Sequence, residues 1–336
     1  MEKFDLFKDI VERTGGDIYI GVVGPVRAGK STFVKKFMEL MVIPNIPDSN
    51  ERLRAKDELP QSGAGRTITT AEPKFIPSEA IEITIKDNIK FRVRLVDNVG
   101  YSVRGALGYE DENGPRMVTT PWFEEEIPFQ EAAEIGTRKV IEEHSTLGLV
   151  VTTDGTVTEI PRENYVPAEE RIVEELKSIG KPFVIVLNTA QPYDEKTKDI
   201  KEILESKYDV PVLPVDCANM DVEDIYKILE EVLYEFPIME INISIPDWIQ
   251  ALEKEHWLRQ KFEEAIKDTV KDIKRLRDME KTLEVSKIYD FIEKVQLKEM
   301  NLGSGVAEVL MDVRKDLFYQ VLSEFSDMTI TGEKDL

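Results

Sequence analysis

The sequence predicts an α/β fold: a mostly parallel sheet covered by helices on both faces, then a smaller α+β domain, with the division at 237/238. Three observations carry this expectation. Apolar, β-rich runs recur with helical patterns between them, the alternation that parallel strands require for their crossovers. The first such run, Asp17–Val23, leads into Gly24-Pro25-Val26-Arg27-Ala28-Gly29-Lys30-Ser31, the spacing of a phosphate-binding P-loop in its required strand-turn-helix setting. After Phe236-Pro237 the texture changes to a short alternating run followed by a long charged helical pattern.

In chain order, the amino-terminal stretch MEKFDLFKDIVERTGG is charged and amphipathic and does not read as a signal peptide. Strands are expected at Asp17–Val23, 81–85, 91–96, 147–152, 183–187 and Val212–Val215, all rich in apolar and β-branched residues. Asp87-Asn88 joins the second and third as a hairpin. A hairpin there, between the first helix and the second acidic motif, is the strand order of the GTPase-like (TRAFAC) branch of P-loop proteins. Helices are expected over 31–42, directly behind the P-loop, over 129–144 and 222–235, and over 168–179, which stops at Gly180-Lys181-Pro182 as a helix end does. In the second domain, 238–336, residues 238–245 alternate apolar with polar. Residues 248–283 are expected to form one long helix with Leu258, Phe262, Ile266, Val270, Ile273 and Leu276 on a single stripe. That stripe reads as packing on its own domain rather than as an intermolecular coiled coil.

Composition bounds the function. With 336 residues and 41% hydrophobic content the chain buries a sizeable core. The formal net charge of −22, from 66 acidic and 44 basic residues, argues against nucleic acid or an anionic membrane surface as a general partner. The single cysteine, Cys217, excludes an intrachain disulfide, and His144 and His256 are too far apart in sequence for a local zinc motif. A reducing cytoplasm is the expected compartment, and no run of eighteen apolar residues occurs.

The P-loop brings a mechanism with it. Gly24 and Gly29 let the backbone curl so that successive N–H groups face phosphate, Lys30 reaches the β/γ oxygens, and the Ser31 hydroxyl ligates Mg²⁺. Arg27, Ala28 and Thr32 complete the expected nucleotide contacts along the loop and the start of its helix, whose dipole adds positive potential. Leu95-Val96-Asp97-Asn98-Val99-Gly100 is the second phosphate-side motif: Asp97 holds the metal from a strand end, and Gly100 offers an N–H to the γ-phosphate. Between the two, Gln61-Ser62-Gly63-Ala64-Gly65-Arg66-Thr67-Ile68-Thr69-Thr70-Ala71-Glu72-Pro73 reads as a switch loop with a threonine for Mg²⁺ and the attacking water. Spacing alone leaves Thr70, Thr67 and Thr69 open, in that order. Arg66 or Arg27 is a candidate for transition-state charge in cis.

Two positions set limits. Guanine readers carry Asn-Lys-x-Asp after the fifth major strand, whereas this chain has Asn188-Thr189-Ala190-Gln191. Without the base-reading carboxylate, guanine preference should collapse and adenine becomes permissible, with Asn188 lining the base pocket. Tyr101 stands where many such enzymes hold a water-orienting glutamine, so hydrolysis needs another arrangement or is slow. Residues 105–130 form a long insertion, read as a nucleotide-sensitive switch, an assembly surface or a packed structural loop.

Together the P-loop, the Thr67 to Thr70 loop, Asp97 to Gly100, Gly-Tyr-Glu-Asp-Glu-Asn-Gly-Pro-Arg-Met from Gly108, Glu131 to Val140, and Glu255-His256-Trp257-Leu258-Arg259 resemble the stage IV sporulation protein A family. The resemblance runs over the whole chain. It implies an ATP-hydrolysing morphogenetic protein of the mother-cell cytoplasm that polymerises at the forespore surface into the basement layer of the spore coat. Its implied partners are copies of itself, other coat proteins, and a small amphipathic membrane peptide bound through a carboxyl-terminal region beyond residue 336. It makes Lys30 the phosphate lysine, Asp97 the Mg²⁺-side aspartate and Thr70 the threonine that promotes hydrolysis. Ala71 stands where family members can carry a second threonine. The rival readings are a regulatory GTPase-like switch, which Gln191 opposes, and a structural coat protein in which nucleotide only stabilises the fold.

Overall fold

The computed structural model describes residues 3–60, 73–85, 89–111, 114–120 and 123–335. The switch-loop candidates Arg66, Thr67, Thr69 and Thr70 and the hairpin turn Asp87-Asn88 lie outside the described residues. The chain divides into two compact units, Met1–Glu235 and Phe236–Leu336.

The first unit opens with α1 (Lys3–Thr14), β1 (Asp17–Val23), α2 (Lys30–Phe37) and α3 (Ser49–Asp57). Helix α2 starts on a left-handed Gly29 and continues into a π-helical turn, Met38–Val42, which fills the expected 31–42 span. Then come β2 (Lys74–Ile85) and β3 (Ile89–Asp97), the expected antiparallel pair. Strand β2 is longer than the 81–85 run because its register shifts between Ile76 and Ile81, an irregularity that hides the first half from an alternation test. The insertion forms two small antiparallel pairs, β4 (Glu110–Asp111) with β5 (Gly114–Pro115) and β6 (Met117–Thr120) with β7 (Phe123–Pro128). The unit closes with α4 (Phe129–His144), β8 (Leu147–Thr153), α5 (Val166–Ile179), β9 (Phe183–Asn188), α6 (Glu195–Tyr208), β10 (Val212–Val215) and α7 (Val222–Tyr234).

The main sheet has the order β10-β9-β8-β1-β3-β2, parallel except for the β2 edge. Every residue of β8 and β9 is buried, as expected for central parallel strands covered on both faces. Register brings the carboxyl ends of the strands together: Val22 lies opposite Asp97, Val23 opposite Val150, and Asn188 opposite both Thr153 and Val215. In an open parallel sheet that edge is where ligands bind.

The second unit holds β11 (Glu240–Ser244), α8 (Asp247–Gln250), α9 (Trp257–Val270), a 3₁₀ segment Leu276–Lys287, β12 (Ile292–Asn301), β13 (Val306–Val313) and α10 (Lys315–Ser326). Strand β13 pairs parallel with β11 and antiparallel with β12. The single helix expected over 248–283 is therefore three pieces. Local side-chain capping breaks it. His256 Nδ1 accepts the Leu258 N–H at 3.2 Å, starting α9 afresh, and Arg259 Nη1 donates to the Gln250 and Leu252 carbonyls at 3.1 and 2.6 Å, closing α8. Further on, Asp278 Oδ2 takes the Lys274 and Arg275 N–H groups and turns the chain into the 3₁₀ segment. Leu258, Phe262 and Ala265 bury in the unit's own core with Ile273, Met279 and Val309. Among the described residues no helix is long and apolar enough to cross a membrane.

Candidate phosphate-binding site

The loop between β1 and α2 is shaped by backbone that few residues tolerate. Gly29 has φ 102°, and a Cβ there would lie 2.1 Å from Asn188 Nδ2. Gly100 has φ 90°, and a Cβ there would meet the Gly24 carbonyl at 2.1 Å and Lys30 Nζ at 2.5 Å. Arg27, although not a glycine, is also left-handed at φ 63°, a conformation that costs about 1–3 kcal/mol and persists where the surroundings impose it. What imposes it is pairing on the outer side of the loop: Val26 N–H donates to the Tyr101 carbonyl at 2.9 Å, and Tyr101 N–H donates to the Gly24 carbonyl at 3.3 Å.

Inside this loop Lys30 is buried, its Nζ donating to the Pro25 carbonyl at 2.7 Å and the Gly24 carbonyl at 3.3 Å. Burial lowers its pKa to about 8, against the opposing pull of Asp97. From the first turn of α2, Ser31 Oγ donates at 2.6 Å to Oδ2 of Asp97, the last residue of β3. Asp97 Oδ1 is buried with no hydrogen-bond partner among the described residues. Desolvation raises the Asp97 carboxyl, while the Ser31 hydrogen bond, Lys30 and Lys74 pull it down. A buried lysine, a hydroxyl and a carboxylate with one open oxygen form a site that gains from an incoming anion and a hard cation together. Among the described residues no group of three or more His, Cys, Asp or Glu could hold a metal alone. A cation here would share its ligands with phosphate, as Mg²⁺ does.

On the other flank, Asn188 clamps two elements: Nδ2 donates to the Ala28 carbonyl at 2.9 Å, and Oδ1 accepts the Cys217 N–H at 3.1 Å. The next residue, Thr189, is buried and donates to Asp154 Oδ2 at 2.5 Å, and Ala190 N–H donates to Thr156 Oγ1 at 2.9 Å. Gln191 is exposed.

Gly24, Arg27, Ala28, Gly29, Lys30, Ser31, Asp97, Gly100 and Asn188 thus converge on one edge of the sheet, with Thr32 in the first turn of α2. Thr70 lies outside the described residues. Tyr101 is buried, and its hydroxyl is bonded to Glu175, away from any water-orienting role. Sequence reading overlooked three residues. Asn98 is buried with neither side-chain polar atom partnered among the described residues, and it sits inside a motif whose flanking residues drew the attention. Asp154 and the Cys217 turn follow the ends of β8 and β10, so position at a strand's carboxyl end was the available signal.

Comparison with known proteins matches the same two units. Residues 1–237 match the family model described as stage IV sporulation protein A, ATPase domain, and residues 238–336 match the middle domain of that family. The chain is 55% identical over 336 residues to the stage IV sporulation protein A of Bacillus anthracis and 54% to that of Bacillus subtilis strain 168, in each case covering 100% of this chain and 68% of the relative. It is 49% identical over 332 residues to the protein of that name from Clostridioides difficile strain 630, covering 99% of this chain and 68% of the relative.

Proposed function

The chain belongs to the stage IV sporulation protein A family, and from that premise we propose that it binds ATP with Mg²⁺, hydrolyses it, and couples hydrolysis to self-assembly into the basement layer of the spore coat. The observation that carries the ATPase reading is the trio at the sheet edge: buried Lys30, the Ser31–Asp97 hydrogen bond, and an Asp97 Oδ1 with no partner among the described residues. Lys30 leaves its loop carbonyls to neutralise the β/γ oxygens, and the loop N–H groups from Arg27 to Ser31 cradle the phosphates. Ser31 and Asp97 are the residues that would hold Mg²⁺, which would supply positive charge to offset that of the phosphates when bound. Gly100 offers its N–H to the γ-phosphate, Thr70 orients water, and Arg27 adds positive charge from the loop itself. The scaffold is of the GTPase-like type, read through an Asn188 pocket in which neutral Gln191 replaces the guanine-reading carboxylate.

Assembly takes place in this reading in the mother-cell cytoplasm at the forespore surface. Other coat proteins and a small amphipathic membrane peptide are the partners. The test is phosphate release from ATP and from GTP by the wild-type chain and by Lys30→Ala, with circular dichroism to show folding and sedimentation to follow assembly. Expected are release from ATP well above that from GTP, and loss of both release and nucleotide-dependent sedimentation in the variant. Equal rates on the two nucleotides would overturn the base-pocket reading, and sedimentation unaffected by Lys30→Ala would overturn the coupling.

A further inference from the structure

We propose that Tyr101 is a positioning residue that latches Gly100 and the outer edge of the P-loop to helices α4 and α5, a role that rests on the ATPase reading above. Tyr101 follows Gly100 directly and is 1% exposed. Its main chain continues the β1–β3 pairing past the strand ends, as a parallel bridge to Pro25 with hydrogen bonds to Gly24 and Val26. The Gly24 carbonyl therefore accepts from both Tyr101 N–H and Lys30 Nζ. Whatever draws Lys30 toward a phosphate removes one of the two donors on that oxygen, so the place of Lys30 and the place of Tyr101 are coupled.

The side chain extends the coupling outward. The Tyr101 hydroxyl bonds the Glu175 carboxylate on α5, and the Arg171 guanidinium lies 5.2 Å from the centre of its ring. Arg171 in turn holds Glu134 of α4 through two hydrogen bonds of 2.9 and 2.7 Å. Burial and Glu175 both raise the phenol's pKa, so it stays a donor at neutral pH. The residues that follow are tied to α4 and to the turn that leads into α5: Val103 N–H donates to the Tyr109 hydroxyl, the Tyr109 ring packs on Phe129 at the start of α4, and Asn164, two residues ahead of α5, donates from Nδ2 to the Arg104 carbonyl. A tyrosine so committed does not orient water as a glutamine amide does. It acts through Gly100 and the loop, by holding both where the γ-phosphate is to be met.

The experiment uses the full chain with Tyr101→Phe, Glu175→Ala and the double variant, read by amide hydrogen exchange without nucleotide and by steady-state ATP hydrolysis. Tyr101→Phe keeps the ring, so the thermal midpoint should move by no more than about 4 °C. Exchange at the Val26 and Tyr101 amides should rise by about tenfold while β8 and β9 stay as protected as in the wild type. The kcat should fall about tenfold with KM nearly unchanged, and the double variant should be no worse than the worse single one. Wild-type exchange and kcat in Tyr101→Phe overturn the latch. So does exchange that rises evenly across the sheet, the result of a merely structural role. If the wild-type chain released no phosphate from ATP, the ATPase reading would fail on its own, and the exchange measurement would still decide whether Tyr101 holds the loop.

Discussion

Lys30 is buried where an ordinary lysine would be solvated, and its ionisation is correspondingly exposed to test. Its pKa in the folded chain is about 8, below the usual 10.5, chiefly because burial penalises the ammonium. Between those values the unfolded chain binds a proton that the folded chain does not, so stability rises as pH climbs through that window, and the cost of the buried charge is fully present below about 8. Phosphate binding needs the ammonium, so the window reverses sign for the ligand. ATP affinity should be flat up to about pH 8 and then fall by up to about tenfold per pH unit, with net proton uptake on binding, measurable by calorimetry in buffers of different ionisation enthalpy. A flat profile to pH 9.5 would contradict the role given to Lys30. At this scale the Gly24–Ser31 turn and its acidic neighbour Asp97 were legible as a local pattern of residue type and spacing, whereas Asn188, read as lining a base pocket, has both side-chain polar atoms committed to Ala28 and Cys217. The fate of Tyr101 was not legible either, because nothing in its neighbours along the chain announces Glu175 or Arg171.

Helix α7 shows what an element can carry in its first residues. Asp221 accepts the Asp224 N–H at 3.0 Å while Asp224 Oδ2 accepts the Asp221 N–H at 3.2 Å, a reciprocal capping box that satisfies two otherwise orphaned donors. Asp221→Ala should lower stability by about 1 kcal/mol in a urea titration and leave ATP affinity unchanged. A loss within error would mean that water replaces the cap at no cost. The same physics explains why the sequence pattern over 248–283 misled. Its apolar stripe satisfies helical periodicity throughout, but periodicity does not register a histidine that caps the N–H two residues ahead or an arginine that reaches back to the carbonyls closing the preceding helix. Strand β2 was likewise half visible, because a register shift breaks the alternation on which the reading depends.

Across the whole molecule, the charge of −22 opposes association of like chains. If self-assembly occurs as proposed, salt should promote it. Sedimentation at fixed Mg²⁺ and ATP should increase between about 0.02 and 0.2 M NaCl, as the screening length falls from about 20 Å to below 10 Å. Greater assembly at the lower salt would point instead to complementary charged faces that outweigh the net repulsion. Each unit also has its own core: Phe262, Met279 and Val309 belong to the second, and Ile20, Leu95 and Leu149 to the first.

The sequence by itself determined the class of the sheet, the glycine-bounded turn from Gly24 to Ser31 between a strand and a helix, and the neutral Gln191 where guanine readers carry a carboxylate, since each follows from hydrophobic period or from residues within one short motif. Only the tertiary structure decided which carbonyls hold Lys30, that Ser31 meets Asp97, that Asn188 clamps Ala28 to Cys217, and that Tyr101 turns away from the site toward α5. Those contacts join residues up to 160 positions apart. Strand register and helix packing select them, and no local pattern encodes either one.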